Sequence, residues 1–167
     1  MTTLIHPDRR FLFAHPAHFL ALGFGSGLMR PAPGTWGTLV ALPLAWLWFR
    51  FGGSPFLLVL LCLPFFGLGA WAARVTSRSL GVHDHGCIVW DEVVGMLLVL
   101  ALIPGDWLSW CMGFVLFRLF DIFKPWPIRW FDDHVHGGAG IMIDDVVAAF
   151  LTVLVFLAVH RWLPYFF

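Results

Sequence analysis

Charge is what this sequence has least of. Only 12% of its residues are Asp, Glu, Lys or Arg, while 60% are hydrophobic and the mean hydropathy is +0.85. A soluble domain of 167 residues has too little interior to hide that much apolar surface, so the bilayer itself must solvate much of it. Formal net charge is zero and the pI is about 7.1, which argues against nucleic acid as a partner. Cysteine is also scarce. Cys62, Cys87 and Cys111 are odd in number and form no CxxC pair, so neither a disulfide framework nor a thiolate zinc site is indicated, and all three read as packing residues.

What is abundant fits the same class. Ten Trp and eighteen Phe suit a protein with aromatic belts at the two membrane surfaces. The N-terminal run FLFAHPAHFLALGFGSGL follows Arg9 and Arg10 but is interrupted by His15, Pro16 and His18 and leads to no clear cleavage site, so it reads as retained sequence.

Residues 55–73 carry no charge and approach the ~20 residues needed to cross the hydrocarbon. Residues 146–163 form a second span, with His160 and Arg161 snorkelling near its end. Three shorter apolar segments, 38–49, 93–103 and 107–117, cross only if flanking residues join their helices. Pro104-Gly105-Asp106 is a turn signal, so the last two form a helical hairpin whose ends return to one side. The expected architecture is an all-α membrane protein. It is one domain over residues 1–167, a small bundle of about four to five transmembrane or re-entrant helices. The pieces on the shared side hold Arg9, Arg10, Arg30, Arg74, Arg78, Arg118, Lys124 and Arg129, and the opposite side keeps Arg50 and Arg161. By the positive-inside rule the loops rich in polar residues are cytoplasmic.

Eight of the ten acidic residues lie in two of those loops: Asp84, Asp91, Glu92, Asp121, Asp132, Asp133, Asp144 and Asp145. Asp91 and Glu92 open the first hairpin helix, Asp121 ends the second, and Asp144 and Asp145 open the last helix, so folding should bring these five to one membrane level. Helix capping explains one acid per helix. It explains a doubled acid less well, because a second charge at a membrane boundary adds desolvation cost without another cap to fill.

Clustered carboxylates need a counter-charge, and an oxygen-only set favours a hard cation such as Mg²⁺. The pairs His83/His85 and His134/His136 offer a spacing that zinc could use, but the carboxylates outnumber them and Mg²⁺ leads. In FRLFDIFKPWPIRW, Arg118, Asp121 and Lys124 recur every third residue and share a helix face. Pro125 biases Lys124 out of the helix and Pro127 keeps the chain extended. The set reads either as an ion pair with positive-inside arginines or as a grip on phosphate by Arg118, Lys124 and Arg129. In GFGSGLMRPAPGTWGTLVALP, glycines 23, 25, 27, 34 and 37 and prolines 31 and 33 argue against regular helix. That stretch, like HGGAG at 136–140, serves as an anion-holding loop or as a tight turn.

Carboxylates with a metal, basic side chains and glycine loops at a membrane surface amount to equipment for phosphoryl chemistry on a lipid. The rival is a small ion or solute transporter, which would place charges near the bilayer midplane rather than crowd them at one end. Blocks of the SGH and DGxxAR types, carried by histidine-nucleophile lipid phosphatases and CDP-alcohol transferases, are absent.

The ordered blocks GFGSGL…PGTWGTL, VHDHGCIVWDEVVGM, FRLFDIFKPWPIRWFD and HGGAGIMIDDVVA, spread over residues 23–148, resemble the phosphatidylglycerophosphatase A family. The resemblance implies a bacterial inner-membrane, multi-pass enzyme with its site facing the cytoplasm. Such an enzyme hydrolyses phosphatidylglycerophosphate to phosphatidylglycerol and phosphate with Mg²⁺ in phospholipid biosynthesis. Matched by motif position, the acidic set is Asp84, Asp91, Glu92, Asp121, Asp144 and Asp145, the basic residue is Lys124, and the loop contributes Gly34 and Thr35. Arg30 and Thr38 depart from the usual pattern, where a small residue or proline and a serine are common. The combined expectation has Asp91, Glu92, Asp121, Asp144 and Asp145 as catalytic, with Asp84, Glu92, Asp121, Asp144 and Asp145 as metal ligands. Arg118, Lys124, Gly34 and Thr35 are expected to bind substrate.

Overall fold

A computed structural model describes residues 7–162, and among them every regular element is helical. Two short helices, α1 (Arg9–Ala14) and α2 (Pro16–Ala21), are followed by a 3-10 segment at Gly23–Leu28. Then come α3 (Pro33–Arg50), α4 (Pro55–Leu80), α5 (Trp90–Leu102), α6 (Trp107–Phe123), α7 (Ile128–His134) and α8 (Gly137–Trp162). His15 breaks the N-terminal run, its Nδ1 accepting from Ala17 N at the start of α2.

The bundle is built around α5. Every residue from Val93 to Ala101 is buried, as expected for a helix that is apolar on all sides. It packs against α3, α4 and α8, and α8 also touches α6 and α7. Gly95 on α5 permits close packing on both sides: a Cβ there would come 2.8 Å from Phe117 of α6 and 3.1 Å from the Asp145 carbonyl oxygen of α8. Trp90 adds a polar tie by donating from Nε1 to the Phe65 carbonyl of α4 at 3.1 Å.

The helices α4 and α8 are each 26 residues long and apolar enough to cross a membrane. Much of the outer surface is large and apolar, including Phe51, Phe56, Leu63, Val115, Phe123, Leu154 and Trp162.

Several sequence expectations are corrected. The glycine–proline stretch is irregular only up to residue 32: Pro33 takes the helix-compatible first position of α3, and Gly34 and Gly37 lie inside that helix. The last helix starts at Gly137, so HGGAG contributes its first turn and Asp144 and Asp145 sit two turns inside it. Pro127 does not keep the chain extended. It adopts φ −91°, ψ −4° after a cis bond to Trp126 and leads into α7. The hairpin forms as expected, with Asp106 capping α6 through its bond from Ser109 N at 2.9 Å.

Candidate active site

The acidic pairs are not caps. The N-cap of α5 is Val89, which makes no side-chain bond, and Asp91 and Glu92 follow in the first turn. Their carboxylates turn inward to meet Asp145 of α8. One oxygen from each of Asp91, Glu92 and Asp145 lies within 4.8 Å of the other two.

Two cations border this triad. Arg118 on α6 bonds to Asp121 one turn along, and its Nη1 also lies 3.5 Å from Glu92 Oε1 and 3.3 Å from Thr38 Oγ1. Thr38, fully buried, donates in turn to the Gly34 carbonyl at 2.9 Å. A Cβ on Gly34 would stand 2.1 Å from Glu92 Oε1 and 3.1 Å from Arg118 Nη2, so this glycine permits α3 to press its first turn against the charged groups. Thr35 follows in the same turn, half-buried, with its N–H bonded to Ala32 O at 3.0 Å.

The second cation is Lys124. It ends α6 in the left-handed conformation (φ 43°, ψ 57°), where the chain leaves the helix ahead of Pro125. Its Nζ lies 2.7 Å from Asp144 Oδ2 and 2.8 Å from Asp132 Oδ1. Burial works against the ammonium charge, but the bonds to Asp132 and Asp144 prevail and hold its pKa above the usual lysine value. Asp84 lies near Lys124 and Asp132. The protein around it raises its carboxyl pKa, and Lys124 pulls the other way.

Five expected acids therefore converge. They divide into the triad Asp91, Glu92 and Asp145, the Arg118 partner Asp121, and the Lys124 partner Asp144, with Asp84 on the Lys124 side. Asp132 carries a direct bond to Lys124 that spacing alone did not single out, because it depends on α7 folding back. Asp133 pairs loosely with Arg129 at 3.9 Å on the surface. The HxH pairs form no joint ligand set: His83 Nε2 accepts from Gly137 N, while His134 and His136 bond to nearby carbonyls.

The donor chemistry suits a divalent cation. Asp91 Oδ1, Glu92 Oε2 and Asp145 Oδ2 are buried oxygens without a protein partner, as is Asp144 Oδ1. Such orphaned acceptors are costly unless a cation or water completes them. Among the described residues five carboxylates face two side-chain cations, and an all-oxygen set matches a hard ion such as Mg²⁺.

The family model described as phosphatidylglycerophosphatase A matches residues 19–160. A Haemophilus influenzae protein of that name is 46% identical over 159 residues, covering 95% of this chain and 97% of its own length. The Escherichia coli protein of that name is 46% identical over 157 residues, covering 92% and 89%. No solved structure matches the chain.

Proposed function

The chain belongs to the phosphatidylglycerophosphatase A family, and on that premise we propose how it removes the terminal phosphate of phosphatidylglycerophosphate. The observation that carries the proposal is the triad of Asp91, Glu92 and Asp145, with orphaned oxygens, set between Arg118 and Lys124.

In this reading the whole chain is one integral membrane domain of a bacterial inner membrane. At 1.5 Å per residue, α4 and α8 each extend about 39 Å and exceed the ~30 Å hydrocarbon core. The α5–α6 hairpin enters from the acidic side and returns to it. The acidic end faces the cytoplasm because eight of the ten Lys and Arg residues lie on the segments at that end. A transporter is disfavoured by the same crowding of charge at one end.

Asp91, Glu92 and Asp145 would hold Mg²⁺, with Asp121, Asp144 and Asp84 completing or supporting the set. A bound Mg²⁺ supplies charge neutralisation to the phosphoryl group. Arg118 and Lys124 direct N–H donors at its oxygens, a role open to them because each is held at the site by carboxylates. Gly34 and Thr35 let the first turn of α3 approach the headgroup. Asp144, held by Lys124 through one oxygen and free at the other, orients the attacking water. Trapping of an acyl phosphate on this residue by hydroxylamine would instead make it the nucleophile.

The test is release of phosphate from phosphatidylglycerophosphate by purified protein in detergent, with Mg²⁺ and with EDTA. Turnover that persists in EDTA removes the metal from this account, and no turnover with Mg²⁺ removes the proposal.

A further inference from the structure

Beside the acidic site lies a cavity of about 420 Å³ with the opposite electrical character. Its walls include Arg74, Ser77 and Arg78 near the end of α4, His83 of the next loop, and Gly137 and Gly138 at the start of α8. None of its lining residues is acidic. Among the described residues, every ion pair belongs to Arg118, Lys124 or Arg129, so Arg74 and Arg78 face the cavity without a carboxylate.

Arg74 and Arg78 are one helical turn apart, and like charges at that spacing repel. Arg74 also leans toward α8: its Nη2 lies 4.0 Å from the Cβ position of Gly137. The two helices are pressed together here, since a Cβ on Gly138 would stand 1.8 Å from the Ala70 carbonyl oxygen. Both arginines are solvent-exposed and line the same cavity, and their planar donor forks suit a ligand with several acceptor oxygens.

We propose that this cavity is a phosphate-group site separate from the acidic cluster, formed by Arg74 and Arg78. It rests on the lipid-phosphatase reading and extends it. His83 lines both this cavity and a neighbouring one of about 290 Å³ that includes Asp84 and Asp132, and Asp132 bonds to Lys124. Along α8, Gly137 and Asp144 are seven residues apart, about 10 Å. A phosphate group can therefore stand here while another occupies the acidic site. It is either the phosphodiester of the lipid being cleaved or the inorganic phosphate just released.

Wild type and the Arg74→Gln/Arg78→Gln protein are compared on phosphatidylglycerophosphate in mixed micelles, with inorganic phosphate as inhibitor. Losing charge-assisted bonds of this type corresponds to about tenfold or more in affinity. A KM raised about tenfold with kcat within about twofold assigns the site to the substrate's diester. An unchanged KM with phosphate inhibition weakened about tenfold assigns it to the released phosphate. Both results support the site, and both constants within about twofold of wild type overturn it. The Arg74→Lys/Arg78→Lys protein should recover part of the loss. Arg78→Gln alone serves if the double variant does not fold.

Calorimetric titration of EDTA-treated protein with inorganic phosphate and with the soluble diester glycerophosphoglycerol separates the two ideas. A wild type that binds either ligand through these arginines but releases no phosphate sinks the phosphatase reading alone. Binding that the glutamine variant retains sinks this site alone.

Discussion

Lys124 Nζ lies 2.7 Å from Asp144 Oδ2, joining the end of α6 to a point two turns inside α8. The contact makes Lys124 both a counter-ion and a clamp. Replacing it with Met leaves Asp144 and Asp132 without their cation, a change that costs about 3–5 kcal/mol for a fully buried pair and less for this half-exposed one. Phosphate release should fall at least about a hundredfold. The linkage sign is set by a raised folded-state pKa: the lysine's contribution is complete below its ordinary value near ~10.4 and fades only as pH climbs through the higher one. The stability gap between wild type and Lys124→Met should stay level from pH 7 to 9, and a gap that closes by pH 9 contradicts the assignment.

Gly34→Ala separates the site from the scaffold. The added methyl would stand 2.1 Å from Glu92 Oε1, the mobile end of a side chain, so Glu92 moves rather than the helix. The melting temperature should change little, by less than about 1 kcal/mol in stability terms, while kcat falls about tenfold or more. Full activity in a folded Gly34→Ala protein would detach α3 from the chemistry.

The Asp91, Glu92 and Asp145 triad stores repulsion that a bound cation relieves. Asp145→Asn should abolish turnover and yet raise the melting temperature of EDTA-treated protein by a few degrees, since about 1 kcal/mol corresponds to roughly 2–4 °C at this size. Magnesium should stabilise wild type and leave the variant unmoved. Equal stabilisation of both by Mg²⁺ would place the metal elsewhere.

Cys87 should resist alkylation. It is 3% exposed, and burial pushes its thiol up to about 12. At pH 8 the thiolate is about one part in ten thousand. Maleimide at that pH should leave Cys87 unlabelled in folded protein and label it after denaturation, as mass spectrometry would read. Rapid labelling of the folded chain would mean that the loop before α5 opens.

At the other end of the bundle, Asp106 is exposed and caps α6, and bonds from Ser109 hold its carboxyl pKa below the usual range. A depressed folded value means that its contribution is present at neutral pH and is lost as pH falls through that value. Asp106→Ala should cost about 0.5–2 kcal/mol in thermal or denaturant melts at pH 7, with phosphate release unaffected, and less at pH 3.

Much of this architecture is legible in one dimension. The turn at Pro104-Gly105-Asp106, the departure of Lys124 from α6 ahead of Pro125, and the opening of α5 by Asp91 and Glu92 all follow from local backbone preference, and all appear as expected. Where local preference misleads, packing is the cause. The glycines at 34, 37, 138 and 140 read as loop, yet they lie in helices at points where neighbouring segments come too close for a side chain, and Gly137 opens α8 at φ +80°. The pairing of Lys124 with Asp132 was hidden because α7 returns only through tertiary contact with α8.

The sequence by itself determined the apolar character, the helical elements and the roster of acids, because composition and periodicity act within a few residues of each position. Only the tertiary structure decided how that roster divides. Adjacent residues on a helix point about 100° apart, so beginning α8 at Gly137 sends Asp144 toward Lys124 and Asp145 toward Asp91 and Glu92. Two neighbouring letters thus meet different partners, and which partners they meet depends on where α5 and α6 pack.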